Sequence, residues 1–143
     1  NGAFKSALLA ADITLIPTSP SQFELEQLPP IFSLIQQMEE QMQLVTGDSE
    51  FKLDVRVILN EVVKTQSTEI VDAKKALDAC SNFVSLSSVQ IPTAKIYKDL
   101  PKTGLFLDDL MDPRRATFEL LRQEIDGERS VYMQKVGVEG EVV

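Results

Sequence analysis

The sequence predicts an α/β domain, a parallel sheet with flanking helices. Two observations carry this. Short apolar runs alternate along the chain with longer stretches of helical periodicity, in the order helix, strand, helix, strand, helix, strand, helix. Strands separated by helices imply right-handed crossovers and parallel pairing. The 143 residues are also 43% hydrophobic, enough for one domain with a core and too apolar for disorder.

Each element has its own signal. Asn1 to Leu9 reads as helix from its first turn, so the chain is expected to be part of a longer protein. Ile13 to Ile16 is a short apolar run stopped by Pro17 and Pro20, the pattern of a fully buried strand. Ser21 is placed to cap the next helix, which Pro29-Pro30 interrupts, because proline lacks an N–H and clashes with the preceding turn. Pro30 suits the first position of a new helix. Ile31, Leu34, Ile35, Met38, Met42 and Val45 then share one helical face, and Gly47 is its expected stop. Glu39-Glu40, among Gln36, Gln37, Gln41 and Gln43, reads as the solvated face.

Leu53 to Leu59 is the second strand. Ser67 is the expected cap of a helix whose apolar stripe is Ile70, Ala73, Leu77 and Cys80. The third strand lies within Phe83 to Ile91 and ends at Pro92. A short helix is expected from Thr93 to Leu100, before Pro101. Asp112-Pro113 opens the last helix, with Phe118, Leu121 and Ile125 as its core face and Gly127 as its end. The domain is expected to span residues 1–126 and a loose tail residues 127–143. Three strands make a thin parallel sheet, so a neighbour for the first is expected from missing sequence or a second chain.

Bulk composition narrows the function classes. No apolar run reaches the roughly 20 residues that span a bilayer, so no membrane partner is expected. The single cysteine, Cys80, cannot form an internal disulfide and fits a buried, inert thiol in a reducing compartment. With no histidine, histidine-based triads and His-ligated zinc are excluded, and no metal site is expected. A net charge of −8 disfavours nucleic-acid binding by the surface as a whole. The local basic clusters are Lys95, Lys98 and Lys102, and Arg114 with Arg115, both diluted by Asp99, Asp108, Asp109 and Asp112. Asp12 precedes a strand and reads as part of a linker.

Three stretches share a register with one family. They are Ala11-Asp12 with Leu15-Ile16-Pro17, Pro20 and Phe23-Glu24-Leu25-Glu26-Gln27-Leu28; Ile91-Pro92 with Asp99, Pro101 and Gly104; and Asp112-Pro113-Arg114. In this the chain resembles the C-terminal half of ParA/MinD partition ATPases, over about residues 5 to 126. Pro29-Pro30, the Thr93 and Ile96 positions and the Gly104-to-Asp112 spacing depart from that family, so a divergent branch is expected as much as a housekeeping partition protein.

The resemblance implies the C-terminal half of a doubly wound P-loop NTPase-like fold. It implies an intact parent that binds ATP and magnesium, forms a homodimer and acts in plasmid or chromosome partition. The parent would be cytoplasmic and associated with nucleoid or plasmid, with nonspecific DNA and a ParB-like protein as partners. The glycine-rich loop that cradles phosphates is missing from this chain, whose glycines are scattered with no Gly-Lys-Ser/Thr. Alone it is therefore expected to hold no nucleotide cofactor, to carry no catalytic residue and to be inactive. What the resemblance leaves here is the adenine side of the pocket: Asn60, Ile91, Pro92 and Thr93. An amide offers an adenine edge both a donor and an acceptor, although Asn also commonly turns a chain after a strand. DNA contacts would fall to Lys95, Lys98, Lys102, Arg114 and Arg115. The rival reading is a noncatalytic ParA-like interaction domain that docks through its open sheet edge.

Overall fold

The structure is a computed structural model and describes residues 2–63, 67–104 and 113–136, with backbone alone at 95 and 96. The elements are α1 (Gly2–Ala10), β1 (Thr14–Thr18), α2 (Gln22–Leu25), α3 (Pro29–Thr46), β2 (Val55–Val62), α4 (Ser67–Asp78), β3 (Ser85–Pro92), α5 (Lys95–Thr103) and α6 (Arg115–Ile125). The three strands form one parallel sheet in the order β1-β2-β3. Expectation and structure agree on a parallel α/β sheet with flanking helices.

Both crossovers step the same way along the sheet, so right-handed connections put α2–α3 and α4 on one face. That face holds the core. Val55, Val57 and Leu59 of β2 and Leu86 of β3 meet Phe32, Ile35 and Met38 of α3 and Ala73 and Leu77 of α4. Phe32 and Phe83 stack with ring centroids 5.9 Å apart. Leu8 anchors α1 to the same cluster.

β1 corrects the expectation of a fully buried strand. It is an edge strand, its residues alternate in exposure, and Leu15 is 36% exposed. Thr14 N–H donates to Asp54 O of the preceding loop at 2.9 Å. Strand alternation then turns the backbone of Leu15 and Pro17 to the open edge, where proline's missing donor costs nothing.

Helix boundaries follow local chemistry. The Ser21 hydroxyl accepts from Glu24 N–H, and the Glu24 carboxylate accepts from Ser19 N–H at 3.0 Å. This is a capping box displaced by two residues. α3 begins without a side-chain cap because Pro29 and Pro30 bring no N–H that needs one. It ends at Gly47 in the left-handed conformation (φ 71°). Its buried face is Phe32, Ile35, Met38 and Glu39, while Val45, assigned to the core by periodicity, is 80% exposed. An 18-residue helix runs about 27 Å, and Leu44 and Val45 in its last turn are exposed.

Three further expectations are corrected. Ser67 is the first residue of α4 rather than its cap. Pro101 lies inside α5, which runs on to a left-handed Gly104. The buried residue of α6 is Glu124, whereas Phe118 is 41% exposed. Asp112, expected to cap that helix, lies outside the described residues, as do Asp108 and Asp109.

Beyond Gly127 the described residues make contacts with the sheet and with α3. Met133 forms an antiparallel bridge with Leu86. Lys135 N–H donates to Ser85 Oγ, and Val136 N–H to Ser81 O at 2.9 Å. Residues 131–136 thus lie along the start of β3.

Candidate functional site

The residues singled out for nucleotide contact converge on one corner. β2 and β3 are parallel, so their ends meet on one side of the sheet, and Val62 pairs with Pro92. Thr93 N–H donates to Val62 O at 3.1 Å. Between the Leu59–Gln90 and Val62–Pro92 pairs, β2 carries one more residue than β3. The extra residue is absorbed at Glu61, which adopts φ 54°, a left-handed conformation rare outside glycine. The bulge sits beside Asn60, at the sheet end where α/β folds receive ligands. Asn60, Ile91 and Pro92 are half-buried and Thr93 is exposed.

This geometry limits what the corner can offer. Pro92 has no N–H, and that of Thr93 is already used. The backbone after Ile91 can therefore accept hydrogen bonds through carbonyls but cannot donate from these two residues. The side-chain donors among these four residues are the Asn60 carboxamide and the Thr93 hydroxyl. The strand order does not reverse within these three strands. The crevice that doubly wound sheets use at such a reversal is accordingly not formed by them alone.

The basic residues lie on helices that touch. Tyr97 of α5 meets Phe118 of α6 edge-to-face, 5.9 Å between centroids. Lys98 and Lys102 are exposed on α5, and Lys102 pairs with Asp99 at 3.8 Å. Arg114 and Arg115 are exposed at the start of α6. The side chain of Lys95 is outside the described residues.

Several buried polar groups were missed from sequence. On the face of β2 turned from the core, Arg56 is 3% exposed. It grips Asp54 with Nε at 3.1 Å and Nη2 at 2.9 Å, while Nη1 donates to Glu124 O at 3.2 Å. The guanidinium thus meets the partial negative charge at the C-terminal end of α6. Glu124 returns a second tie. Pairing jumps from Val57–Leu86 to Leu59–Gln90, leaving β3 with extra residues. Glu124 Oε2 accepts from Ser88 N–H at 2.8 Å and Ser88 Oγ–H at 2.6 Å, so a carboxylate fills the place of the lost ladder partner.

The second buried pair joins the segment after α6 to α3. Lys135 donates to the Glu39 carboxylate and, at 3.0 Å, to Leu53 O. Lys52 stands 3.5 Å from the other Glu39 oxygen. Burial holds the Lys135 ammonium below its usual range, against the attraction of Glu39. Glu39 was read as solvated; it is 4% exposed. The only signal for it was a lone lysine, Lys135, in a segment with few other anchors.

On the helical face, a cavity of about 720 Å³ opens between α2–α3 and α4. Cys80 lines it, half-buried, and burial pushes its thiol up. Among the described residues no cluster of three His, Cys, Asp or Glu side chains could hold a metal ion, and no helix is long and apolar enough to cross a membrane.

Comparison with protein-family models, with curated proteins and with solved structures finds no match to this chain.

Proposed function

We propose that this chain is the C-terminal half of a ParA/MinD-type, doubly wound P-loop ATPase and supplies the adenine side of its nucleotide site. The observation that carries the reading is the corner itself. Asn60 sits beside a strained bulge, and carbonyl acceptors follow Ile91-Pro92 at the same end of the sheet. In this reading the Asn60 amide donates to an adenine ring nitrogen, and a carbonyl at Pro92 or Thr93 accepts from the exocyclic amine. The rest of the parent supplies the phosphate loop and magnesium. The intact protein would be a homodimer that switches on ATP and engages DNA and a ParB-like partner in plasmid or chromosome partition. Lys98, Lys102, Arg114 and Arg115, on touching helices, with Lys95, are the DNA contacts of this proposal.

The test uses adenosine, which needs no phosphate loop. Adenosine at millimolar concentration is expected to shift the backbone amide resonances of Asn60 and Thr93. Asn60→Ala should abolish those shifts, and Asn60→Asp, which keeps the size but loses the donor, should do the same. Shifts that are absent, or that persist in Asn60→Asp, would remove the adenine reading.

A second reading has its own observation. The outer edge of β1 pairs with no strand among the described residues, and Leu15 is exposed beside it. A noncatalytic interaction domain would dock a partner there.

A further inference from the structure

The cavity on the helical face is separate from the proposed adenine corner: Asn60, Ile91, Pro92 and Thr93 are not among its lining residues. Its walls are Leu25, Leu28, Phe32, Ala73, Ala76 and Leu77. α4 contributes one continuous face, from Thr68 in its first turn to Cys80 just past its last. At helical rise the 12 steps from Thr68 to Cys80 span about 18 Å. The small side chains of Ala73 and Ala76 leave the trough unfilled. A volume near 720 Å³ falls in the range of small-molecule sites.

The polar groups of the groove share one sign. Glu26, Glu69 and Asp72 stand among its lining residues, and among the described residues no lysine or arginine does. Glu26 accepts from Gln22 Nε2 at 3.1 Å. Among the described residues none of the three carboxylates forms an ion pair. Glu69, in the first turn of α4, answers the partial positive charge of that helix end. Glu26 and Asp72 have no such local counterpart and are exposed. An anionic ligand would meet uncompensated carboxylates. A second copy of this chain, with net charge −8, would bring more of them.

We propose that this groove is a binding site for an organic cation with an apolar body, the hydrocarbon part lying along Leu25, Leu28, Phe32 and Leu77 and the ammonium at Glu26 and Asp72. Burial of the apolar part provides most of the affinity. The two exposed carboxylates select for positive charge.

The experiment compares n-octylammonium, n-octanol and n-octanoate, matched in chain length, by amide chemical-shift titration of the whole chain. Octylammonium is expected to bind about fivefold tighter than octanol, the preference two partly screened charge pairs give. Octanoate is expected to bind most weakly, and shifts should concentrate at Leu25, Phe32, Ala76 and Leu77. Glu26→Gln with Asp72→Asn should bring octylammonium to the octanol level while leaving octanol unchanged. Ala76→Phe, which fills the trough from an exposed helix position, should abolish all three with the melting temperature retained. Equal binding of octanol and octylammonium to the unmodified chain would overturn the proposal. So would shifts scattered over the surface, or binding that survives Ala76→Phe. A lysine-bearing amphipathic peptide of 12 residues that shifts the groove amides when octylammonium does not would assign the face to a protein partner instead.

Discussion

Lys135 holds the described C-terminal segment to α3 and to the loop before β2 through one ammonium group. Removing one member of a buried pair costs more than removing both, although the partly exposed Lys52 at 3.5 Å still faces Glu39 once Lys135 is gone. Lys135→Met is therefore expected to lower unfolding free energy by about 3 kcal/mol, read from urea denaturation. Lys135→Met with Glu39→Leu should recover most of that loss, because both charges are then gone. The pH dependence has a definite sign. With its value depressed by burial, Lys135 releases its proton in the folded state before it does so in the unfolded one. Between the two values the unfolded chain holds more protons, so this group's contribution to stability rises with pH. The rise should be seen in urea midpoints on the alkaline side, up to the ordinary lysine range, and should be missing from Lys135→Met. A wild-type alkaline limb identical to that of the variant would show that Lys135 titrates normally.

At the scale of elements, α6 is held to the sheet by exchanged polar ties more than by the apolar stripe read from sequence. Arg56 donates to the carbonyl of Glu124, and the Glu124 carboxylate covers the bulge in β3. Glu124→Ala strands the Ser88 N–H in a buried place and is expected to cost about 2 kcal/mol. Glu124→Gln keeps an acceptor for that N–H and should cost less. Equal losses from the two variants, measured by thermal or urea unfolding, would mean the carboxylate oxygen is not what the bulge requires. These ties also show where sequence reading stops. The Ser21 cap, the Pro29-Pro30 break, the Gly47 stop and the Ala73–Leu77 stripe were all legible because each is a local event. Glu124 and Ser88 are 36 positions apart, Arg56 and Glu124 68, and Glu39 and Lys135 96. Periodicity assigns a residue to a face of its own helix and carries no information about a distant partner. Phe118 and Val45 were assigned to the core by the same periodicity, but Val45 is 80% exposed and Phe118, 41% exposed, meets Tyr97 of α5 instead.

At the scale of the whole molecule, the sheet has two unlike edges. β3 is flanked near its start by residues 131–136, whereas β1 pairs on one side only among the described residues. Parallel strands end together, which brings the ends of β2 and β3 to one side, but Asn60, placed by the sequence after the second strand, lies inside β2, which runs on to Val62. The strained Glu61 beside it was not foreseen, since a bulge depends on the register of two strands. The open edge was foreseen, but its protection was not. An exposed apolar edge is a template for association, and Pro17 interrupts this one by presenting a position without a donor to any incoming strand. Pro17→Val restores the N–H on a β-branched residue that favours strands. It is expected to shift the chain toward dimers and larger species as concentration rises, read by light scattering after size exclusion. Adding Leu15→Lys to Pro17→Val places a charge on the same edge and should reverse that shift. If Pro17→Val associates no more than the unmodified chain, the edge is guarded by something other than this proline. If Leu15→Lys fails to reverse association, the contact lies elsewhere on the surface, and the docking reading loses its site.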